Sequence, residues 1–148
     1  MNKSYQNALT YFLIFSMLLV ISSVLLFENK IGFSLKEVAT YYLGDEESYV
    51  IAKTYSGLIK MVSSHIFAFG LLSMVLLHFL IFTKERVAFK TKILIYAIFL
   101  SSFLEIFSPF AILFGVDIFS LVKLGSFALL EFLIIYISWL LLRSIVHS

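Results

Sequence analysis

Residues Gly57–Thr83 read GLIKMVSSHIFAFGLLSMVLLHFLIFT. About 20 apolar residues suffice to cross a bilayer as a helix, and this run exceeds that length while carrying two histidines, His65 and His78. Three runs of the same character surround it: Ala8–Phe27, Ile93–Val116 and Ile118–Leu142. Two of the three contain a carboxylate, Glu105 in one and Glu131 in the other. The expected fold is therefore all-α. It is an integral membrane four-helix bundle with spans at about 8–27, 58–83, 93–115 and 118–142.

Composition agrees. Hydrophobic residues make up 61% of the 148 and charged residues 14%, against about 25% charged in soluble domains. Mean hydropathy is +1.04. The four spans leave room for one membrane domain, residues 1–148, and no separate soluble one. There is no cysteine, which excludes disulfides, thiolate metal sites and covalent c-type haem attachment. The net charge of +2 gives no footprint for nucleic acid. The first span has a longer apolar core than the 7–15 residues of a signal peptide and no small-residue cleavage site after it, so it reads as a retained helix.

Basic residues beside membrane helices stay on the cytoplasmic side. The link Lys84–Lys92 holds four basic residues and one acid, and Lys3 and Arg143 fall on its side after four crossings. Both termini are thus expected in the cytoplasm, and the compact, lysine-rich and aromatic style points to a bacterial inner membrane. Tyr5, Tyr11, Tyr96, Tyr136 and Trp139 fall near the inner ends, with Tyr41, Tyr42, Tyr49 and Tyr55 in the outer segment. Headgroup-level placement suits rings with one wet end.

The extramembrane segment, residues 28–57, contains Ser34-Leu35-Lys36-Glu37, a capping-box pattern. Leu35, Val38, Ala39 and Tyr42 follow at helical spacing and Gly44 can stop the helix. A short amphipathic outer helix is expected, lying on the membrane or packed on the bundle as a lid. Asp45-Glu46-Glu47 reads as a solvated loop, since adjacent acids lack the spacing of a cation site. Between the third and fourth spans, Gly115 can end one helix and Asp117 start the next. That is a tight hairpin of antiparallel neighbours.

An ionised acid near the bilayer centre costs about 2.5–3.5 kcal/mol, so Glu105 and Glu131 should face the bundle interior. At ~1.5 Å per residue they lie about 16 and 22 Å from the hairpin. Ser101, Ser102, Glu105 and Ser108 share one face of the third span. Pro109 removes the N–H that would meet the Glu105 carbonyl, so the helix kinks there and another polar group must serve that oxygen. His65 comes level with Glu105 and is expected to bond it or a serine, while Glu131 is expected to bond Ser101 or Ser102. His78 lies near the inner surface beside the basic link, on the face of Ser63, Gly70 and Met74. Lys123 is close to the outer end of its span and is expected to snorkel to headgroups.

Three functions compete on these residues. In the first the polar cluster His65, Glu105, Glu131, Ser101, Ser102 and Ser108 is structural. The protein is then an accessory or assembly subunit touching lipid and other membrane subunits, or copies of itself. In the second, His65 and His78 ligate b-type haem or serve a quinone. Their spacing resembles that of di-haem cytochrome b proteins, one residue short of the usual step; no second helix offers a histidine, so the second ligand is Met17 or the His65 of a second copy. In the third, Glu105 and Glu131 relay protons or ions, although the outer half offers no continuous polar line. No nucleophile–base set or paired-metal spacing marks an enzyme.

Overall fold

A computed structural model describes residues 3–80, 83 and 89–146. It contains five helices: α1 Lys3–Lys30, α2 Leu35–Leu43, α3 Tyr55–Leu80, α4 Phe89–Leu113 and α5 Ile118–Val146. No strand occurs among the described residues. α1, α3, α4 and α5 are each long and apolar enough to cross a membrane. They run in alternating directions, so the short α2 caps one end of the bundle and Lys3 of α1 and Val146 of α5 lie at the other.

The hairpin between α4 and α5 follows from two residues. Gly115 takes φ +84°, a left-handed conformation that a side chain opposes. The Gly115 N–H donates to the Ile112 carbonyl at 2.8 Å and the Val116 N–H to the Ala111 carbonyl at 3.1 Å, the pairing of a Schellman stop. The chain then re-enters through Asp117, whose backbone carbonyl accepts from the Ser120 N–H at 3.0 Å. So short a turn presses α4 and α5 together, and theirs is the most extensive interface of the fold. α1 packs on α5, and α3 packs on both α4 and α5.

Buried apolar side chains form two cores. At the capped end Phe27, Val62, Ile106, Ile112 and Phe127 gather under Val38 and Tyr42 of α2, with the Phe27 and Phe127 rings stacked at 4.1 Å. At the uncapped end Leu9, Leu13, Leu76, Ile98, Ile134 and Ile137 form the second core. Between them lies the polar band of Ser23, Ser101, Ser102, Glu105 and Glu131, all but half-buried Ser23 fully buried.

α2 is a lid, packed on α4 and α5. Its start is a full capping box: the Glu37 N–H donates to Ser34 Oγ at 3.1 Å and the Ser34 N–H to Glu37 Oε2 at 2.9 Å. Gly32 at φ +91° is required here, because a Cβ would collide with the Glu37 side chain. Gly44 ends the helix, its N–H donating to the Thr40 carbonyl at 2.9 Å. Beyond it, Asp45 accepts from the Ser48 hydroxyl and the Glu47 N–H and forms a bridge with Val50. That carboxylate is occupied in closing a turn.

Hydrogen bonds from the Ser34 side chain and backbone hold the Glu37 carboxyl below the usual carboxylate range. A carboxyl depressed by folding contributes fully above its ordinary value of about 4.3 and loses that contribution as pH falls through the folded value. Hydrogen-exchange protection of the first α2 turn should thus be level down to about pH 5 and drop below about pH 4. Ser34→Ala should lower protection at neutral pH and flatten the acid drop; an unchanged pH profile in that variant would contradict the assignment.

Candidate functional site

Lys123 lies on α5 in phase with Phe127, Leu130 and Ile134, the face turned into the bundle. It is 4% exposed, so the expectation that it snorkels to headgroups is overturned. Two demands on α4 redirect it. Its ammonium forms an ion pair with Oε1 of Glu105, which is 3% exposed. The same Nζ donates to the Glu105 backbone carbonyl at 3.0 Å, the carbonyl that Pro109 leaves without its helical N–H donor. Ser108 Oγ adds a long contact to that oxygen at 3.5 Å.

The hairpin makes this reach possible. Glu105 sits about 12 Å before the end of α4 and the Lys123 backbone about 7–8 Å after the start of α5. The four-carbon lysine stem closes the remaining gap.

His65 reaches the same place from α3. With Met61, Val62, Glu105, Ile106, Pro109 and Lys123 it lines a small cleft of about 10 Å³. The expected bond from His65 to Glu105 or a serine is not made. Its Nδ1–H donates instead to the Met61 carbonyl at 2.7 Å, and its ring rests on Phe69. With the proton on Nδ1, Nε2 is the acceptor of the neutral ring. Tyr42 closes the capped side: burial pushes its phenol well up, and the nearby Glu105 carboxylate adds to that.

Glu131 belongs to a second polar contact. Its Oε1 accepts from the Ser23 hydroxyl of α1, not from Ser101 or Ser102 as expected. Those two serines return their hydroxyls to the Ile98 carbonyl of their own helix, at 3.2 and 2.7 Å. Oε2 of Glu105 and Oε2 of Glu131 have no hydrogen-bond partner among the described residues. His78 is exposed in the last turn of α3, about 20 Å along the helix from His65. The basic link beside which it was expected falls at 84–88, outside the described residues, and in the first turn of α4. No group of three or more histidines, cysteines and acids able to hold a metal occurs among the described residues.

A family model of a transmembrane helical domain, Aq_1264_TM, matches residues 32–148. The chain belongs to this family. The matched segment holds α2 to α5, and with them the whole Lys123–Glu105–Pro109–His65 arrangement. Ser23, the partner of Glu131, lies on α1 outside it. No curated protein and no solved structure matches the chain.

The ion pair should behave as a unit. Breaking a buried pair by removing one partner costs about 3–5 kcal/mol, whereas replacing both together is far milder. Lys123→Met is thus expected to destabilise the bundle by that amount in detergent unfolding titrations, and Glu105→Gln with Lys123→Met to recover most of it. Pro109→Ala restores an N–H to the Glu105 carbonyl and should shrink the Lys123→Met penalty by about 1 kcal/mol. Strictly additive effects would show that the lysine does not serve both oxygens.

Proposed function

We propose that this protein is an accessory subunit of a bacterial inner-membrane assembly, with both termini cytoplasmic, and that it works through the outward face of α3. The Lys123 and Glu105 charges compensate each other inside it, which suits a bundle built to hold a shape. The observation that carries the reading is a contrast between two outward faces. On α1 that face is bulky and apolar apart from Ser22, with Ile14, Phe15, Leu18, Leu19, Leu25 and Leu26 exposed, as contact with lipid chains requires. On α3 the exposed face carries Ser63, Ser64 and Gly70 beside Phe67 and Met74. Nothing lies within 4 Å of a Cβ placed on Gly70. Small residues on a membrane helix let a second backbone approach closely, and van der Waals packing then drives association. The occupant is a transmembrane helix, from another subunit or a second copy.

The haem and quinone reading has less support. The cleft beside His65 encloses only about 10 Å³, room for about one water molecule and far below the roughly 300–1,000 Å³ of pockets that enclose ligands of drug size.

Gently solubilised wild-type membranes should yield the protein in a species well above the 17.0 kDa of one chain. Gly70→Leu or Ser63→Leu should release it as a monomer, while Leu18→Phe on α1 should not. A wild-type protein that is monomeric by light scattering in every mild detergent would defeat this reading.

A further inference from the structure

The buried polar side chains form a column. On α5, Ser120, Lys123, Ser126, Glu131 and Ser138 are all buried on the face turned to the other helices. From Ser120 to Ser138 the helix rises about 27 Å, close to the ~30 Å hydrocarbon thickness of a bilayer. Neighbouring helices fill the intervals. α4 contributes Glu105, Ser102 and Ser101, and α1 contributes Ser23 at the level of Glu131. Seven residues further along, Ser16 of α1 and Ser138 of α5 fall at a common level, and buried Ser73 of α3 lies just above them. Along α5 the rise from one polar residue to the next is about 4.5 Å from Ser120 to Lys123 and again to Ser126, about 7.5 Å to Glu131 and about 10.5 Å to Ser138.

A second observation separates this column from ordinary serine packing. Four of its atoms, spread from one end to the other, have no partner among the described residues: Ser120 Oγ, Glu105 Oε2, Glu131 Oε2 and Ser138 Oγ. The Tyr42 hydroxyl, buried under the lid, is in the same condition. Each such group costs roughly 1–3 kcal/mol. A purely structural column would lose nothing by exchanging Ser120 or Ser138 for alanine. Water satisfies such atoms only in places that are polar and roomy enough to hold it, and the cleft beside Glu105 and His65 has room for about one molecule.

We propose that this column is a proton path through the bundle, with Glu105 and Glu131 as the two groups that hold the proton in transit. Lys123 donates only to Oε1 and the backbone carbonyl of Glu105, which leaves Oε2 open. A proton arriving beneath the lid binds that oxygen and converts the carboxylate to the acid. It passes by way of water and the hydroxyls of Ser102 and Ser126 to Oε2 of Glu131, and Glu105 returns to the carboxylate. Glu131 then releases one proton toward Ser138 and the uncapped end. One proton enters, one leaves, and no bond between heavy atoms changes. The titratable groups facing Glu105 are Tyr42 on α2, His65 on α3 and Lys123 on α5; Glu131 feels Glu105 itself.

The test is proton uptake by liposomes containing the full chain, with a potassium diffusion potential as the driving force and an internal pH dye as the readout. Wild type should take up protons at least about 5-fold faster than protein-free liposomes. Glu105→Gln and Glu131→Gln should each lower the excess rate about 10-fold or more. Both changes keep side-chain shape, and Glu131→Gln keeps an acceptor for Ser23. Circular dichroism and a monodisperse elution profile confirm that each variant is folded. Ser138→Ala, a smaller change still, should reduce the rate without touching either acid. A wild-type rate equal to that of empty liposomes overturns the proposal, as does excess flux that survives either glutamine variant. The chain is measured alone, so the result is separate from whether α3 has a partner.

Discussion

One lysine resolves two problems that α4 creates for itself. Pro109 strips the Glu105 carbonyl of its helical donor, and Glu105 brings a carboxylate into the bilayer. An unmet carbonyl costs roughly 1–3 kcal/mol, and an uncompensated charge about as much again. The Lys123 ammonium meets both oxygens, from a backbone position that the α4–α5 hairpin fixes to within a turn of helix. Desolvating the ammonium is itself expensive, so the arrangement holds only while all the contacts are present together. Register between the two helices is therefore specified by chemistry as well as by packing.

Other features follow from that register. With α4 and α5 locked, their capped ends form the seat on which Val38 and Tyr42 of α2 close. Beneath the seat, the polar band divides the apolar interior into two cores; α1, α3, α4 and α5 contribute to both, α5 most heavily to the uncapped one, and α2 joins only the capped one. α1 and α3 contribute fewer buried residues than α4 and α5. Their larger surfaces face outward, and those surfaces differ in kind: bulky on α1, small and polar along part of α3. The interior explains why the bundle keeps its shape, and the exterior is where another molecule meets it.

The spans, the hairpin and the α2 capping box were legible in the sequence because each is a local pattern of apolar runs, glycine or serine–glutamate spacing. The α4 serine stripe was legible for the same reason, since Ser101, Ser102, Glu105 and Ser108 share a face of one helix. Lys123 was misread because two rules conflict. Its short distance from the helix end favours snorkelling, whereas its phase with Phe127, Leu130 and Ile134 places it in the core. Phase prevailed because a carboxylate and a bare carbonyl wait on the facing helix. The need for a donor at the Glu105 carbonyl was visible in Pro109, but the donor's identity depended on the fold. Ser23 gave no signal at all: it meets Glu131 across 108 residues of chain, and nothing near either residue announces the other. His65 was assigned a distant partner when its own helix supplied one four residues away.

The boundary of the family segment sorts the two intramembrane acids. Every group that meets Glu105, including the Pro109 kink and the Lys123 ammonium, lies within residues 32–148. That arrangement is complete without α1. Glu131 is different: its hydrogen-bond donor is Ser23, and the nearby ring stack joins Phe27 to Phe127. Both contacts bind α1 to α5, and both draw on residues outside the matched segment. The Lys123–Glu105 pair thus lies wholly inside the matched segment, while the Ser23–Glu131 contact fastens the first helix to that segment. An acid is a costly fastening in lipid when one serine hydroxyl meets only one of its oxygens. The second oxygen is the feature that docking α1 leaves unexplained, and it lies in line with the other unmet atoms of the polar column.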